Sequence, residues 1–451
     1  MAGELAQQGM LSPRMLVAAL VLFAGFRGNA DAVKDREGAV REDKAALEKD
    51  ARWIYNDWEK GFAEGRRTGK PVLVVMRCVP CLACSGIDAQ VLLQETDLAP
   101  LLDQFVCVRV INANAIDLTR FQFDYDLSFS TLFFNADGTV YGRYGSWSHQ
   151  KDAQDKTTAS FRAALLAALD LHRAYPANRP SLSGKQGAPT PFLTPLEIPG
   201  LAGKYGRSLD WGGKVVPSCV HCHQIGDAIR TSLREKGKPI PEEWIFPQPG
   251  PESVGLRLAA DQVATVTEVV ADSAAARAGM QVGDELTTVA GQPVISIADV
   301  SWALHRAPLS GSLPISFRRA GVAQRRQLPL VIGWRQHTDI SRRVGTWELR
   351  AMVTGGMLLE DLTDTERQGR HLDHTSMALR AKYVGLYGQH AAAHKAGFKT
   401  DDILVSVDGL QARVSESELM GRLMSGHAVG ERITAEVVRG GERLKLEWPV
   451  Q

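Results

Sequence analysis

The feature that most constrains the fold of this chain is a pattern of small residues and glycines that occurs twice in its C-terminal half. Two stretches of the first copy recur in the second, namely AAARAGM at 274–280 as AAHKAGF at 392–398, and VGDEL at 282–286 as TDDIL at 400–404. Gly279 aligns with Gly397, and Gly291 aligns with Gly409 at the same spacing. A repeat of this kind predicts two copies of one structural unit.

Length and charge narrow the remaining possibilities. The chain has 451 residues, which is too long for one hydrophobic core, so several domains of ordinary size are expected. It carries 52 Lys and Arg against 51 Asp and Glu, a net charge of +1. A basic excess that would attract nucleic acid or an anionic membrane is missing, and no nucleic-acid partner is expected.

The repeated pattern resembles the bacterial type of PDZ domain found on periplasmic proteases and their relatives. The resemblance covers 251–335 and 336–451, although Asp401 stands where the family has glycine. It implies that each copy adds an extended peptide to a sheet edge and holds its end in a backbone loop. The implied peptide-binding residues are Val254, Gly255 and Leu256 in the first copy and Gly356, Met357 and Leu358 in the second. The alternative to peptide binding is that the two copies only pack against the rest of the chain. The sequence contains no serine-protease motif, so a serine protease is not expected.

A pentapeptide at 219–223, CVHCH, has the C-x-x-C-H spacing of a c-type haem attachment site. Two thiols three positions apart can each form a thioether with a haem vinyl group, and the following histidine then lies under the iron. One covalent haem c is therefore predicted, held by Cys219, Cys222 and His223 as the iron ligand. A disulfide or a zinc site that uses the same residues is the alternative.

Residues 53–175 alternate between helical and strand patterns. The apolar runs 71–76 and 105–111 predict buried strands, and 131–141 predicts a hairpin. A second cysteine motif, Cys78-Val-Pro-Cys81, follows the first of these runs. This order of elements, with the motif at a strand-to-helix junction, resembles a thioredoxin-like domain.

The resemblance implies that Cys78 is a nucleophile and that Cys81 is its resolving thiol in thiol–disulfide exchange. Two departures leave alternatives open. Ser130 stands where the family has a cis-proline, so a trans peptide is expected there. Cys84 lies one turn beyond Cys81, so a metal site at Cys78, Cys81 and Cys84 is an alternative, as is a permanent Cys78–Cys81 disulfide. Cys107, in an apolar run, is predicted to be a core residue.

The remaining segments concern export and connection. Residues 1–32 contain an apolar run preceded by Arg14 and followed by small residues, which is typical of a signal peptide. A periplasmic or secreted protein is therefore expected, with membrane attachment only if this segment is not cleaved. Residues 33–52 are predicted to form a charged, solvated lead-in helix, and 176–250 a Pro- and Gly-rich linker that carries the C-x-x-C-H motif.

Together these patterns predict a multidomain α/β plus α+β protein: a thioredoxin-like domain, a haem-bearing segment and two PDZ-like, partly open β-barrels. The predicted function is that of an exported redox protein, which would be a thiol–disulfide oxidoreductase if the dithiol turns over. Its partners would be a redox partner and extracytoplasmic proteins or peptides bound by the PDZ-like domains. The alternatives are a non-enzymatic, haem-containing PDZ scaffold or sensor, and a metal-binding protein that uses Cys78, Cys81 and Cys84.

Overall fold

The computed structural model describes residues 35–79, 98–146 and 158–451. The predicted signal peptide lies outside these ranges, and so do Cys81 and Cys84. None of the helices within the described ranges is long and apolar enough to span a bilayer.

The N-terminal domain is built on one five-stranded sheet. Its strands are β1 (Trp53–Tyr55), β2 (Val72–Arg77), β3 (Val106–Val110), β4 (Phe129–Phe134) and β5 (Val140–Tyr144). They lie in the order β1-β3-β2-β4-β5, with β1, β3 and β2 parallel and the last two antiparallel. Every residue of β2 and β3 is buried, as expected of central strands covered on both faces. The two buried strands and the hairpin predicted from the sequence are therefore confirmed.

Helices cover both faces of this sheet. They are α1 (Arg36–Leu47), α2 (Trp58–Thr68), α3 (Ala99–Leu102) and α4 (Thr158–Arg173). Helix α2 begins where Asp57 accepts a hydrogen bond from the Lys60 N–H and ends at Gly69, whose φ of 71° is left-handed. Its Gly61 lies so close to β3 that an added Cβ would come within 2.3 Å of Val108. Phe161 of α4 fills the opposite face.

Helix α1 forms as predicted, but it is not a solvated lead-in. Val40 and Leu47 are each only 2% exposed, because they pack against the domain. Asp43 pairs with the buried Arg109 of β3. The Glu37 carboxylate accepts hydrogen bonds from the backbone N–H of residues 215 and 216, at 3.0 and 2.9 Å. The charges that indicated a solvated helix therefore make specific long-range contacts.

The Pro- and Gly-rich segment is not a linker either, because it packs on the sheet. It contains α5 (Arg179–Leu182), α6 (Cys222–Glu235) and α7 (Glu242–Ile245), with short 3-10 turns at Ser183–Lys185, Pro195–Glu197 and Val216–Ser218. Its apolar residues are widely spaced along the chain, yet Ile198, Val220 and Ile225 all enter the core cluster over β2 and β3. The segment therefore completes the hydrophobic core on one face of the thioredoxin-like domain.

The first repeat unit follows. It contains the 3-10 turn Pro251–Val254, β6 (Leu256–Leu258), β7 (Val266–Val269), α8 (Ala274–Arg277), β8 (Glu285–Val289), β9 (Gln292–Pro293), α9 (Ile297–His305), β10 (Gly311–Arg319) and β11 (Val322–Leu330). Strands β6 and β7 pair with each other, and the others form a sheet in the order β11-β10-β8-β9. Its core is a separate apolar cluster that includes Leu286 and Phe317.

The second repeat unit has a similar order of elements. After a 3-10 turn at Trp334–His337 come α10 (Thr346–Val353), β12 (Met357–Asp361), α11 (Asp364–Gly369), β13 (Leu379–Val384), a 3-10 turn at Gly388–Ala391, α12 (Ala392–Lys395), β14 (Ile403–Val407), α13 (Glu416–Gly426), β15 (Arg432–Arg439) and β16 (Glu442–Pro449). Its five strands form one sheet in chain order from β12 to β16.

The two units share a buried ion pair as well as their glycines. Asp284 is fully buried and pairs with Arg319 through contacts of 2.7 and 2.8 Å. In the second unit, Asp402 pairs in the same way with Arg439 at 2.6 and 2.7 Å. The neighbouring Asp401 takes a left-handed φ of 70°, which aspartate tolerates better than most residues. This is how the second copy accommodates the departure noted in its sequence.

The first unit is attached to the thioredoxin-like domain through α9. All residues from Ile297 to Leu304 are buried. The Asp299 carboxylate accepts a hydrogen bond from the Arg143 backbone N–H at 3.0 Å and pairs with the buried Lys185 Nζ at 2.7 Å. Helix α9 therefore packs directly against the preceding domain.

Candidate functional site

Cys78 lies immediately after the C-terminal end of β2, as the resemblance to thioredoxin-like domains implies. Its backbone N–H donates to the Ser128 carbonyl at 2.9 Å. The buried Arg77 guanidinium donates to the carbonyl of Cys78 and, at 3.3 Å, to the carbonyl of Ser128. The side chain of Cys78 remains of intermediate exposure. Hydrogen bonds thus hold the backbone at Cys78 in place, while its side chain remains partly exposed.

The C-x-x-C-H segment is held against this strand end by Asn114, which is fully buried. The Asn114 side-chain amide donates to the carbonyls of Gly206 and Ser218 at 2.7 and 2.9 Å, and its oxygen accepts from the Val220 N–H at 2.7 Å. One buried amide therefore satisfies three backbone groups of the segment, two of which flank Cys219, and fixes the segment on the domain.

His221 is the residue that meets Cys78. It occupies the N-cap position of α6, where its backbone N–H donates to Gln224 Oε1 at 2.8 Å. Its side-chain Nδ1 lies 3.2 Å from Cys78 Sγ, although the two residues are 143 positions apart in sequence. Burial, together with the positive charges of His223 and Arg36, lowers the pKa of His221. A neutral imidazole at this distance can accept the thiol proton.

Both cysteines of the C-x-x-C-H motif line the same small cavity as Cys78. The free space in it is about 10 Å³, close to the volume a single water requires. Cys219 Sγ lies 3.4 Å from the Ile111 carbonyl, and burial raises the pKa of Cys219 to about 11. Cys222 is the first residue of α6 and is only 8% exposed. Three cysteines from two distant parts of the sequence thus line one cavity.

This arrangement does not fit a covalently attached haem. A c-type haem needs both thioether sulfurs and the axial imidazole on one common space large enough for a porphyrin. Here Cys219 and Cys222 face a cavity of about the size of one water, and His223 is not among the residues that line it. The His223 ring instead pairs with Asp227, with Nδ1 to Oδ2 at 3.2 Å. The haem predicted from the motif stays a prediction.

Other predicted residues take different positions. Cys107 is fully buried in β3, which confirms that it belongs to the core. Ser130 lies within β4, and the only cis peptide in the described ranges is Tyr175–Pro176, so the expected trans peptide at Ser130 is confirmed. Across the described part of the chain, no group of three or more His, Cys, Asp or Glu side chains could hold a metal ion. The metal site that includes Cys81 and Cys84 lies outside that part.

The residues predicted to bind peptides in the first repeat unit form a tight turn. Val254 and Leu256 are each 3% exposed and belong to the core of the unit. Gly255, at a left-handed φ of 84°, donates its N–H to the Glu252 carbonyl at 3.0 Å. An added Cβ at Gly255 would meet Ser273 at 2.1 Å, so glycine is required at this turn.

In the second repeat unit, the corresponding backbone groups are already bonded. The Gly356 N–H donates to the Arg350 carbonyl at 2.9 Å, and Met357 is fully buried. Leu358 is half-buried, while the next N–H along β12, that of Leu359, donates to Glu416 Oε1 at 2.8 Å. A backbone carbonyl and the Glu416 side chain of the unit itself therefore already accept hydrogen bonds from two N–H groups near its edge strand.

Sequence reasoning missed the two residues that assemble the thiol site. His221 carried one signal, since it lies between Cys219 and Cys222, but its contact with Cys78 depends on how the segment folds back. Asn114 carried none, because an isolated asparagine after a strand usually belongs to a turn. Both roles arise from contacts over about a hundred residues, which local patterns do not encode.

Comparisons with known proteins agree with the two resemblances. Residues 53–136 match the family model described as thioredoxin-like, and residues 265–319 match that of the PDZ domain. No curated protein matches the chain. Among solved structures, the HtrA-type protease AlgW with a decapeptide is 17% identical over 31% of this chain and 44% of its own, with a TM-score of 0.20. A serine-to-alanine form of AlgW with a decapeptide is also 17% identical, over 30% of this chain and 40% of its own, with a TM-score of 0.20. The chain thus spans less than half of either protease, and so low a TM-score adds nothing to the assignment.

Proposed function

We propose that this protein carries out thiol–disulfide exchange with Cys78 as its nucleophile. The observation that carries the proposal is the 3.2 Å contact between Cys78 Sγ and His221 Nδ1 at a strand end of the domain that matches the thioredoxin-like model. Thiolates, not thiols, attack disulfides, and a histidine within hydrogen-bond reach is a common way to form one.

The neighbouring side chains have distinct roles in this proposal. Neutral His221 accepts the proton of the Cys78 thiol, and its lowered pKa keeps it neutral at physiological pH. The Cys78 thiolate then attacks one sulfur of a substrate disulfide, and the other sulfur leaves as a thiolate. Cys81 is proposed as the resolving thiol on the basis of the sequence motif alone. It would attack the mixed disulfide, release the second substrate thiol and leave a Cys78–Cys81 disulfide.

Docking of protein partners is proposed for the first repeat unit, part of which matches the PDZ domain model. An extended peptide chain would pair with the sheet edge that begins at Leu256. We propose that the second unit is PDZ-like as well, given the ion pair and glycines that it shares with the first. Since Glu416 already accepts a hydrogen bond from its edge strand, we assign docking to the first unit. Export to an oxidising compartment, inferred from residues 1–32, is part of the same proposal.

The test is reduction of insulin disulfides by the full chain, with dithiothreitol or glutathione as electron donor. Wild-type protein is compared with Cys78→Ser and with Cys107→Ser, a matched control that also removes one thiol. We expect turnover in the wild type and in Cys107→Ser but not in Cys78→Ser. Absence of turnover in all three, from correctly folded protein, would instead support the non-enzymatic scaffold.

A further inference from the structure

We infer that the C-x-x-C-H segment is the internal disulfide partner of Cys78, so that Cys78 and the Cys219/Cys222 pair form and exchange a disulfide between the thioredoxin-like domain and the segment packed on it. The inference rests on the proposed thiol chemistry at Cys78. It gives the motif a role that does not require a haem and identifies a substrate of the site within the chain itself.

Cys78, Cys219 and Cys222 all line one cavity, together with apolar residues such as Val215 and Leu209. Cys78 Sγ touches the imidazole of His221, which lies between the other two cysteines in sequence. Among the described residues, no disulfide joins Cys78 to Cys219 or Cys222.

The segment is held in position on the thioredoxin-like domain by hydrogen bonds from two sides. Asn114 bonds it from within the domain, through the carbonyl of Ser218 and the N–H of Val220. Glu37 and Arg41 of α1 bond it from the outside, Arg41 donating to the carbonyls of Trp211 and Gly213, each at 2.9 Å. Reacting groups held at fixed positions exchange far faster than the same groups free in solution.

The two thiols of the segment differ in their surroundings. Cys222 begins the 14-residue helix α6, and helix N-termini favour thiolates through the helix dipole and unpaired N–H groups. Cys219 lies before the helix, at intermediate exposure, and desolvation raises the pKa of its thiol to about 11. We therefore expect Cys222 to form the first bond with Cys78 and Cys219 to resolve it.

The chemistry balances with a small disulfide, such as oxidised glutathione, as the two-electron oxidant. The Cys78 thiolate attacks the disulfide, its S–S bond breaks, and one glutathione leaves as a thiol with the proton that His221 had accepted. Cys222 then attacks Cys78 Sγ and displaces the second glutathione thiol. Two protein thiols are oxidised, one glutathione disulfide is reduced, and the Cys78–Cys222 bond forms. If Cys219 then attacks Cys222, a Cys219–Cys222 disulfide remains and Cys78 is released as a thiol.

The experiment is disulfide mapping of the full chain. A variant with Cys81, Cys84 and Cys107 replaced by serine keeps only the three converging cysteines. Trypsin cleavage after Arg77, Arg109, Lys214 and Arg230 places Cys78 in peptide 78–109 and the other two in peptide 215–230. After oxidation with glutathione disulfide and alkylation, we expect mass spectrometry to show the two peptides linked. The linked species should disappear in a further variant that also carries Cys78→Ser.

The contrary results are equally specific. Oxidation to a Cys219–Cys222 disulfide with no linked peptide even at early times, or glutathione retained on Cys78 alone, would overturn the inference. So would a covalent haem on wild-type protein from a host that attaches haem c, shown by a pyridine haemochrome spectrum, because its thioethers consume both thiols. Wild-type protein mapped in the same way gives a second reading if the variant does not fold, since fragmentation of the linked peptides locates the cysteine involved.

Insulin reduction separates this inference from the proposed function. Turnover that depends on Cys78 without a linked peptide would retain the proposed function and remove the internal partner. A linked peptide without insulin turnover would do the reverse, leaving a redox-dependent cross-link in a protein that does not act on other substrates. A Cys219→Ser/Cys222→Ser variant should lose the link.

Discussion

Cys107 lies within one strand of the sheet and Cys78 immediately after the end of the neighbouring parallel strand, and the two thiols differ in burial and in the side chains that they contact. Cys107 lies within β3, opposite Leu73 of β2, and is fully buried among apolar side chains. Cys78 lies one residue beyond the end of β2, where its sulfur meets His221. In sheets of this kind, residues inside a strand build the core, and residues after its carboxyl end are available for chemistry. Position along the strand therefore decides which thiol is reactive.

The largest difference between the two thiols is expected in the rate of insulin reduction. Cys78→Ser is expected to reduce insulin turnover to the uncatalysed background, because a hydroxyl does not replace the attacking sulfur. Cys107→Ser should leave the turnover rate near that of the wild type. Equal loss in both variants, with circular dichroism spectra like that of the wild type, would show that the comparison is wrong.

His221 is expected to account for much of the difference in reactivity between Cys78 and Cys107. His221→Asn is expected to slow iodoacetamide alkylation of Cys78 at pH 7 by about 100-fold, at the lower end of what a positioned proton acceptor contributes. The wild-type rate should decline only below the usual histidine range, since the pKa of His221 is lowered. His223→Asn is the control, because that ring pairs with Asp227 instead. A rate and pH profile unchanged by His221→Asn would remove the residue from the mechanism.

Weakening the attachment of the C-x-x-C-H segment should change the alkylation rate of Cys78 and leave that of Cys107 unchanged. Asn114→Ala leaves the carbonyls of Gly206 and Ser218 without their buried donor, and we expect a loss of about 2 kcal/mol in the free energy of unfolding. Urea denaturation measures this loss. In the same protein, alkylation of Cys78 should lose its dependence on His221, while Cys107 stays protected. Full stability in Asn114→Ala would mean that the segment is held by other contacts.

The smallest expected effect concerns the core thiol. Burial raises the pKa of Cys107 to about 12, against about 8.5 for an unfolded thiol. Between these values the unfolded chain releases a proton that the folded chain keeps, so stability falls as pH rises, by about 1.4 kcal/mol for each pH unit at most. Urea denaturation at pH 8 and pH 9.5 should show a smaller fall in Cys107→Ala than in wild type. An identical fall in both would place Cys107 outside the core.

How far the sequence predicted this structure depended on the range of the contacts. Strands β2 and β3 and the hairpin were predicted because continuous apolar runs and turn residues are local signals. The segment 176–250 was interpreted as a linker because its apolar residues are isolated among Pro and Gly. Its packing becomes evident only in the folded structure, where Ile198 and Ile225 lie over the same face of the sheet. The thiol site combines both cases, since the cysteine motifs were found but their proximity was not.

The central claim is that Cys78 is the reactive thiol of the described part of the chain and Cys107 a structural one. The most direct test is the rate at which each cysteine of the native wild-type protein is alkylated at pH 7, followed residue by residue by mass spectrometry. We expect Cys78 to react within the native fold and Cys107 to react only when denaturant unfolds the domain. Equal rates for the two, or a Cys78 that also requires denaturant, would contradict it.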